Sequence, residues 1–161
     1  MLHLPKRRTG PPQTSRTLPH RQLDQWPPPE IQRRLLDECL ALPDVRPRQS
    51  RMAPPGTAAL FLPDDLARGV REAYIDQHEF CHLHPPPEGT IHLTLPQPVH
   101  RQVVELGWGE PHPMAGSGLS PNLVLIYGPR DVEELEIVLG LVVICRSFAT
   151  GAIGLPAAAL A

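Results

Sequence analysis

Cysteine is scarce in this 161-residue chain: Cys39, Cys81 and Cys145 are far apart, odd in number and never in a C-x-x-C pair. That excludes a disulfide framework and fits reduced thiols in a cytosolic protein. Long apolar runs are lacking too. The longest, Ile137 to Cys145, has nine residues, and a membrane span needs roughly 20. The start, Met1-Leu2-His3-Leu4-Pro5-Lys6, has no apolar stretch of the kind that drives secretion. No internal repeat is present, and neither H-E-x-x-H nor G-x-S-x-G occurs. Nothing resembles a flavin or nucleotide site. These absences lead us to expect a cytoplasmic protein with no membrane segment.

Proline, by contrast, is abundant: 22 residues, about 14% where about 5% is usual. Long helices, coiled coils and large regular sheets are therefore disfavoured. The length suits one domain able to bury a core without staples. Charge is uneven. Residues 1–57 carry ten Lys/Arg and five Asp/Glu, whereas residues 58–161 carry five and twelve. A basic leader on an acidic body has the form of a nucleic-acid arm. The only basic run, Lys6-Arg7-Arg8, is short and few aromatics interleave, which favours a solvated tail paired with its own domain.

Pattern and punctuation set the elements. Residues 1–29 are a Pro-rich irregular leader. Residues 30–42 read as a helix with a stripe through Ile31, Leu35 and Cys39, ended by Pro43. Residues 43–56 read as a second Pro-rich link. Thr57–Leu62 is a candidate strand, and Pro63-Asp64-Asp65 starts a turn. His78–His84 and the strictly alternating Thr90–Leu95 read as a hairpin around Pro85-Pro86-Pro87-Glu88-Gly89. Pro98–Leu106 reads as a helix burying Val99, Val103, Val104 and Leu106, with Gly107 past its end. Residues 108–120 read as loop, Leu123–Tyr127 as a buried strand, and Asp131–Phe148 as a helix with Asp131 as N-cap. Residues 152–161 read as a flexible tail. The sum is an α+β fold: a small single domain over residues 30–151, with a central antiparallel hairpin or sheet packed by about three helices.

Six of the eight histidines fall between positions 78 and 112. With residues 85–89 as the hairpin loop, His84 faces Thr90 and His82 faces His92. Alternate side chains share a face, so His82, His84 and His92 project together, away from Cys81, Leu83, Ile91 and Leu93. Three imidazoles on one side suit a divalent metal such as zinc, iron or manganese, with a coordination position left open. His112 would be a fourth ligand or proton donor. Glu79 falls on the opposite face and joins only if the strand is bulged. His78 shares the His82 face further along, and His100 falls on the polar side of its helix. The same pattern also fits a metal-free polar pocket or a solvated sheet face, since a one-residue slip would undo it. Gly116-Ser117-Gly118 reads as a flexible loop, Cys81 as structural, and Trp26 and Trp108 as packing anchors.

Several segments together resemble a known family. They are Glu79-Phe80-Cys81-His82-Leu83-His84-Pro85, Ile91-His92-Leu93-Thr94-Leu95-Pro96, Gly107-Trp108-Gly109-Glu110-Pro111-His112-Pro113, Tyr127-Gly128-Pro129-Arg130-Asp131 and Ser147-Phe148-Ala149-Thr150-Gly151. In this order they are similar to a family of small, mostly bacterial proteins catalogued as a luciferase domain, over about residues 10–151. The resemblance implies that the leader belongs to the domain and wraps it, which weakens the nucleic-acid reading. It implies that His82, His84, His92 and His112 are characteristic, with His20 an addition. Cys81 stands where the family has a small residue such as Ala. A flavin luciferase barrel of eight strand–helix units needs about 250 residues, so that fold is not expected. The resulting expectation is a metal-dependent enzyme doing hydrolytic or oxygen chemistry on a small molecule. The alternative is a non-catalytic module binding a small ligand or a protein through the same pocket.

Overall fold

A computed structural model describes residues 3–153; most of the expected tail at 152–161 lies outside that range. The described chain forms six strands and three α-helices in the order α1 (Pro29–Leu40), β1 (Arg46–Gln49), β2 (Ala58–Phe61), β3 (Glu79–Leu83), β4 (Ile91–Thr94), α2 (Gln97–Glu105), β5 (Gly109–Pro111), β6 (Leu123–Ile126) and α3 (Val132–Ala149). One antiparallel sheet has the order β1-β2-β3-β4-β6-β5. The α+β class is as the sequence pattern indicates.

The hairpin register is the decisive local result. Cys81 pairs with Leu93, His82 with His92, and Leu83 with Ile91, while the His84 amide donates to the Thr90 carbonyl at 2.8 Å. Alternation then divides the chemistry. Cys81, Ile91 and Leu93 are fully buried in the hydrophobic core with Leu35 and Cys39 of α1 and Leu141 and Cys145 of α3. Burial pushes the Cys39 and Cys145 thiols up to about 12 and Cys81 well above its ordinary value, so all three are packing groups at neutral pH. His82 and His92 emerge on the other side. There a single row of paired residues crosses five strands: Ala59, His82, His92, Leu125 and Glu110.

α3 begins where Asp131 accepts a hydrogen bond from the Glu134 amide at 2.9 Å. Glu134 reaches back to the Arg130 amide at 2.9 Å, one residue before the position a reciprocal capping box uses. At the end of α2, Gly107 adopts φ +80°, the left-handed conformation that closes a helix without Cβ strain.

Two strands lie where the sequence reads as linker or loop. β1, Arg-Pro-Arg-Gln, is exposed at every position and forms one edge of the sheet. It carries no apolar alternation, and its proline is tolerated because an edge strand need not donate on both sides. β5, Gly-Glu-Pro, is the other edge. The α2 face is also rotated from expectation. His100 and Val103 are its buried residues, whereas Val104 is 37% exposed. His100 is therefore not a surface residue, and burial lowers its pKa. Trp108 is buried and donates to the Pro5 carbonyl at 2.6 Å, but Trp26 is half exposed.

Among the described residues, 3–28 of the leader form no helix or strand, yet they are packed. Gln22 is fully buried. Its amide donates to Thr90 Oγ1 at 2.8 Å, and its side-chain oxygen accepts from the Gly128 amide at 2.9 Å. Arg7 is 4% exposed, stacks over Tyr127 and shares Glu134 with Arg130. Arg8 pairs with Asp131 and Glu133. The basic run is thus engaged by the acidic start of α3. No described helix is long and apolar enough to cross a membrane.

Candidate functional site

The face that carries His82 and His92 is the floor of a cavity of about 530 Å³. His20, His82, His84, His92 and His112 line it, with walls from Leu18, Pro19, Met52, Pro54, Ile75, Leu119 and Leu123. All five histidines are at most 9% exposed. His92 is central: its ring centroid lies 5.0–5.3 Å from those of His82, His84, His20 and His112. Two overlapping triads, His82/His84/His92 and His20/His92/His112, each bring one ligand atom per residue within 4.8 Å of the others.

Carboxylates hold the rings from behind. Glu79 Oε1 lies 2.7 Å from His82 Nδ1, Glu88 Oε1 2.5 Å from His84 Nδ1, and Glu110 Oε1 2.7 Å from His20 Nε2. Glu79 reaches His82 because β3 is bulged. Leu60 pairs with Cys81 but Phe61 with Glu79, which leaves Phe80 as an extra residue and inverts the parity beyond it. Strand parity alone places Glu79 on the wrong side; the bulge places it fully buried beneath His82, with Oε2 accepting from Ser50 Oγ at 3.1 Å. Beyond the bulge His78 no longer shares the His82 face. It pairs with exposed Asp64 at 2.9 Å, away from the cavity.

Proton accounting gives the site its character. A carboxylate accepts, so His82 and His84 carry their protons at Nδ1 and offer Nε2 lone pairs, while His20 carries its proton at Nε2 and offers Nδ1. His82 Nε2 stands 3.0 Å from His92 Nδ1, and His20 Nδ1 stands 3.2 Å from His92 Nε2. A neutral His92 has one proton for these two lone pairs. One contact must oppose lone pair to lone pair unless a cation lies there. A second proton on His92 is resisted: burial, then the neighbouring histidines, hold its pKa well below the ordinary value. Burial also lowers His82, against the raising effect of Glu79. Burial thus favours the neutral rings of His82, His92 and His112.

His112 differs. Its Nδ1 accepts from the Met114 amide at 3.1 Å, so the proton of the neutral ring is at Nε2. Burial, followed by His20 and His82, lowers its pKa to about 4. It is a neutral N–H donor in the cavity it lines.

The same region carries the likeness to known proteins. Residues 77–144 match the Luciferase domain family. Proteins named luciferase from Armillaria gallica and Armillaria mellea are 38% identical to this chain over 65 residues, which is 38% of this chain and 24% of theirs. One from Neonothopanus nambi is 34% identical over the same length. The chain thus aligns with about a quarter of the length of these curated fungal relatives. No solved structure shows significant similarity. This stretch is luciferase-like, and it contains β3 and β4 with His82, His84 and His92, Glu79, Glu88, and β5 with Glu110 and His112. His20 lies outside it.

Proposed function

We propose that His82, His84 and His92 hold one divalent metal ion, zinc, iron or manganese, and that the protein is an enzyme acting on a small molecule in the adjoining cavity. The observation that carries this is the set of inward-facing histidine nitrogens backed by carboxylates, that of Glu79 fully buried and that of Glu88 partly so. Carboxylate–histidine pairs of this kind orient metal ligands and raise their basicity. Three nitrogens at about 2.0–2.1 Å from one ion stand roughly 3.3 Å apart, close to the 3.0 Å between His82 Nε2 and His92 Nδ1. Such an ion supplies Lewis acidity or, if iron or manganese, redox chemistry. The chain's residues do the rest. The apolar side chains of Ile75, Leu119 and Leu123 face the substrate, and His112 directs Nε2–H at an oxygen that gains negative charge.

Elemental analysis of tag-free protein tests this. About one zinc, iron or manganese per chain is expected, lost in the double variant His82→Ala/His84→Ala. Absence of metal after reconstitution refutes the proposal. A non-catalytic binding module is then the better reading, and the mostly apolar wall around one polar floor favours it over a plain surface.

A further inference from the structure

The second triad raises a separate question: whether His20, His92 and His112 form another metal site or serve the first. We propose that they serve the first, and that His20, from the irregular leader, is a positioning residue that selects which nitrogen of His92 ligates the metal. This rests on the metal reading above.

The argument is one of hydrogen-bond direction. Glu110 fixes the His20 proton at Nε2, so Nδ1 can only accept. The one donor in line with it is His92 Nε2, 3.2 Å away. With that contact made, His92 carries its proton at Nε2, and its lone pair is confined to Nδ1, on the side of His82 and His84. The ring is thereby set as a ligand for the first triad and removed from the second. His112 completes the exclusion. Its Nδ1 is occupied by the Met114 amide, so ligation through Nε2 would require either an imidazolate or the loss of that bond. The second triad thus has one ligand-ready nitrogen, His20 Nδ1, which His92 already satisfies.

The leader is built for this. His20 is two residues from Gln22, which is fully buried and tied to Thr90 and Gly128. The far oxygen of Glu110 accepts from Tyr127 at 3.3 Å, so the carboxylate that orients His20 is itself oriented. The chain runs Tyr127, Glu110, His20, His92, and then the metal.

Three measurements test it. Zinc-loaded wild-type protein should hold one ion per chain. Long-range nitrogen–proton correlation spectra should show His92 metallated at Nδ1 and protonated at Nε2. His20→Ala should weaken zinc binding by about 10–100-fold, the usual cost of losing such a partner. His20→Asn, whose Oδ1 is an acceptor in the place of Nδ1, should recover most of it, whereas a loss due only to disturbed packing would not be rescued. If His20→Ala does not fold, Glu110→Gln reads the same chain and should lower affinity by up to about 10-fold. Two ions per chain, or His92 ligating through Nε2, or unchanged affinity in the His20 or Glu110 variant, overturns the proposal and leaves the metal site standing. Wild-type protein that binds neither zinc, iron nor manganese overturns the metal site itself.

Discussion

Metal-free protein should lose stability on mild acidification, and the histidine cluster sets the amount. His92 is held neutral well below its ordinary pKa, His112 down to about 4, and His82 and His100 are lowered by burial. The unfolded chain has no such restraint, and its histidines titrate near 6.5. Below that value the unfolded state binds more protons, so stability falls as pH falls, until each folded ring titrates as well. From about pH 7.5 to about pH 5.5, one histidine neutral in the fold and ordinary in the coil costs about 1.4 kcal/mol. His92, held well below its ordinary value, is the largest contributor. His112, partly open to water in the cavity, contributes less, and His82 and His100 add fractions. The total is about 2–3 kcal/mol, against the 5–15 kcal/mol typical of a domain. Urea unfolding at the two pH values reads this as a midpoint lower by roughly 1 M or more. In His92→Gln the loss should shrink by about 1 kcal/mol. A midpoint that does not move, or moves equally in that variant, would show that the buried rings are already protonated or already open to water.

Two further substitutions probe the supports of the site. A Cβ on Gly109 would overlap the Leu125 carbonyl oxygen and come 3.1 Å from Val103 Cγ1. Gly109→Ala should therefore push β5 off the sheet, destabilise thermal unfolding by about 2–3 kcal/mol, and weaken metal binding by displacing Glu110. Asp131→Ala removes the α3 cap and the partner of Arg8. It should cost about 1 kcal/mol in urea unfolding and leave metal binding unchanged, because α3 packs on the far side of the sheet.

Some of this site was legible because strands obey a period of two. A five-residue loop and an alternating Thr90–Leu95 suffice to set His82 against His92, and the structure has that register. Glu79 could be placed only on condition of a bulge, for the same reason: parity misplaces whatever lies beyond one, and nothing in Glu-Phe-Cys-His announces that Phe80 is an extra residue. His20 was visible only through family resemblance, since an irregular leader has no periodicity from which to infer direction. β1 was missed because a charged edge strand lacks the apolar alternation that betrays a strand. His100 shows the converse limit, a polar residue that a helix buries because the sheet lies there.

The span from Gln22 to Gly128 has a consequence for synthesis. The leader is synthesised well before the groups that hold it: Thr90, Trp108, Gly128 and the start of α3 lie 68 to 123 residues beyond their partners in the leader. His20 therefore has no fixed orientation until Glu110, 90 residues further on, is in place. The hairpin with His82, His84 and His92 pairs earlier, from contacts close in sequence. A nascent chain would pass through a stage with three inward histidines exposed and His92 untethered, able to capture any available ion through either nitrogen. On the positioning role proposed for His20, docking of the leader would then confine His92 to one ligating edge.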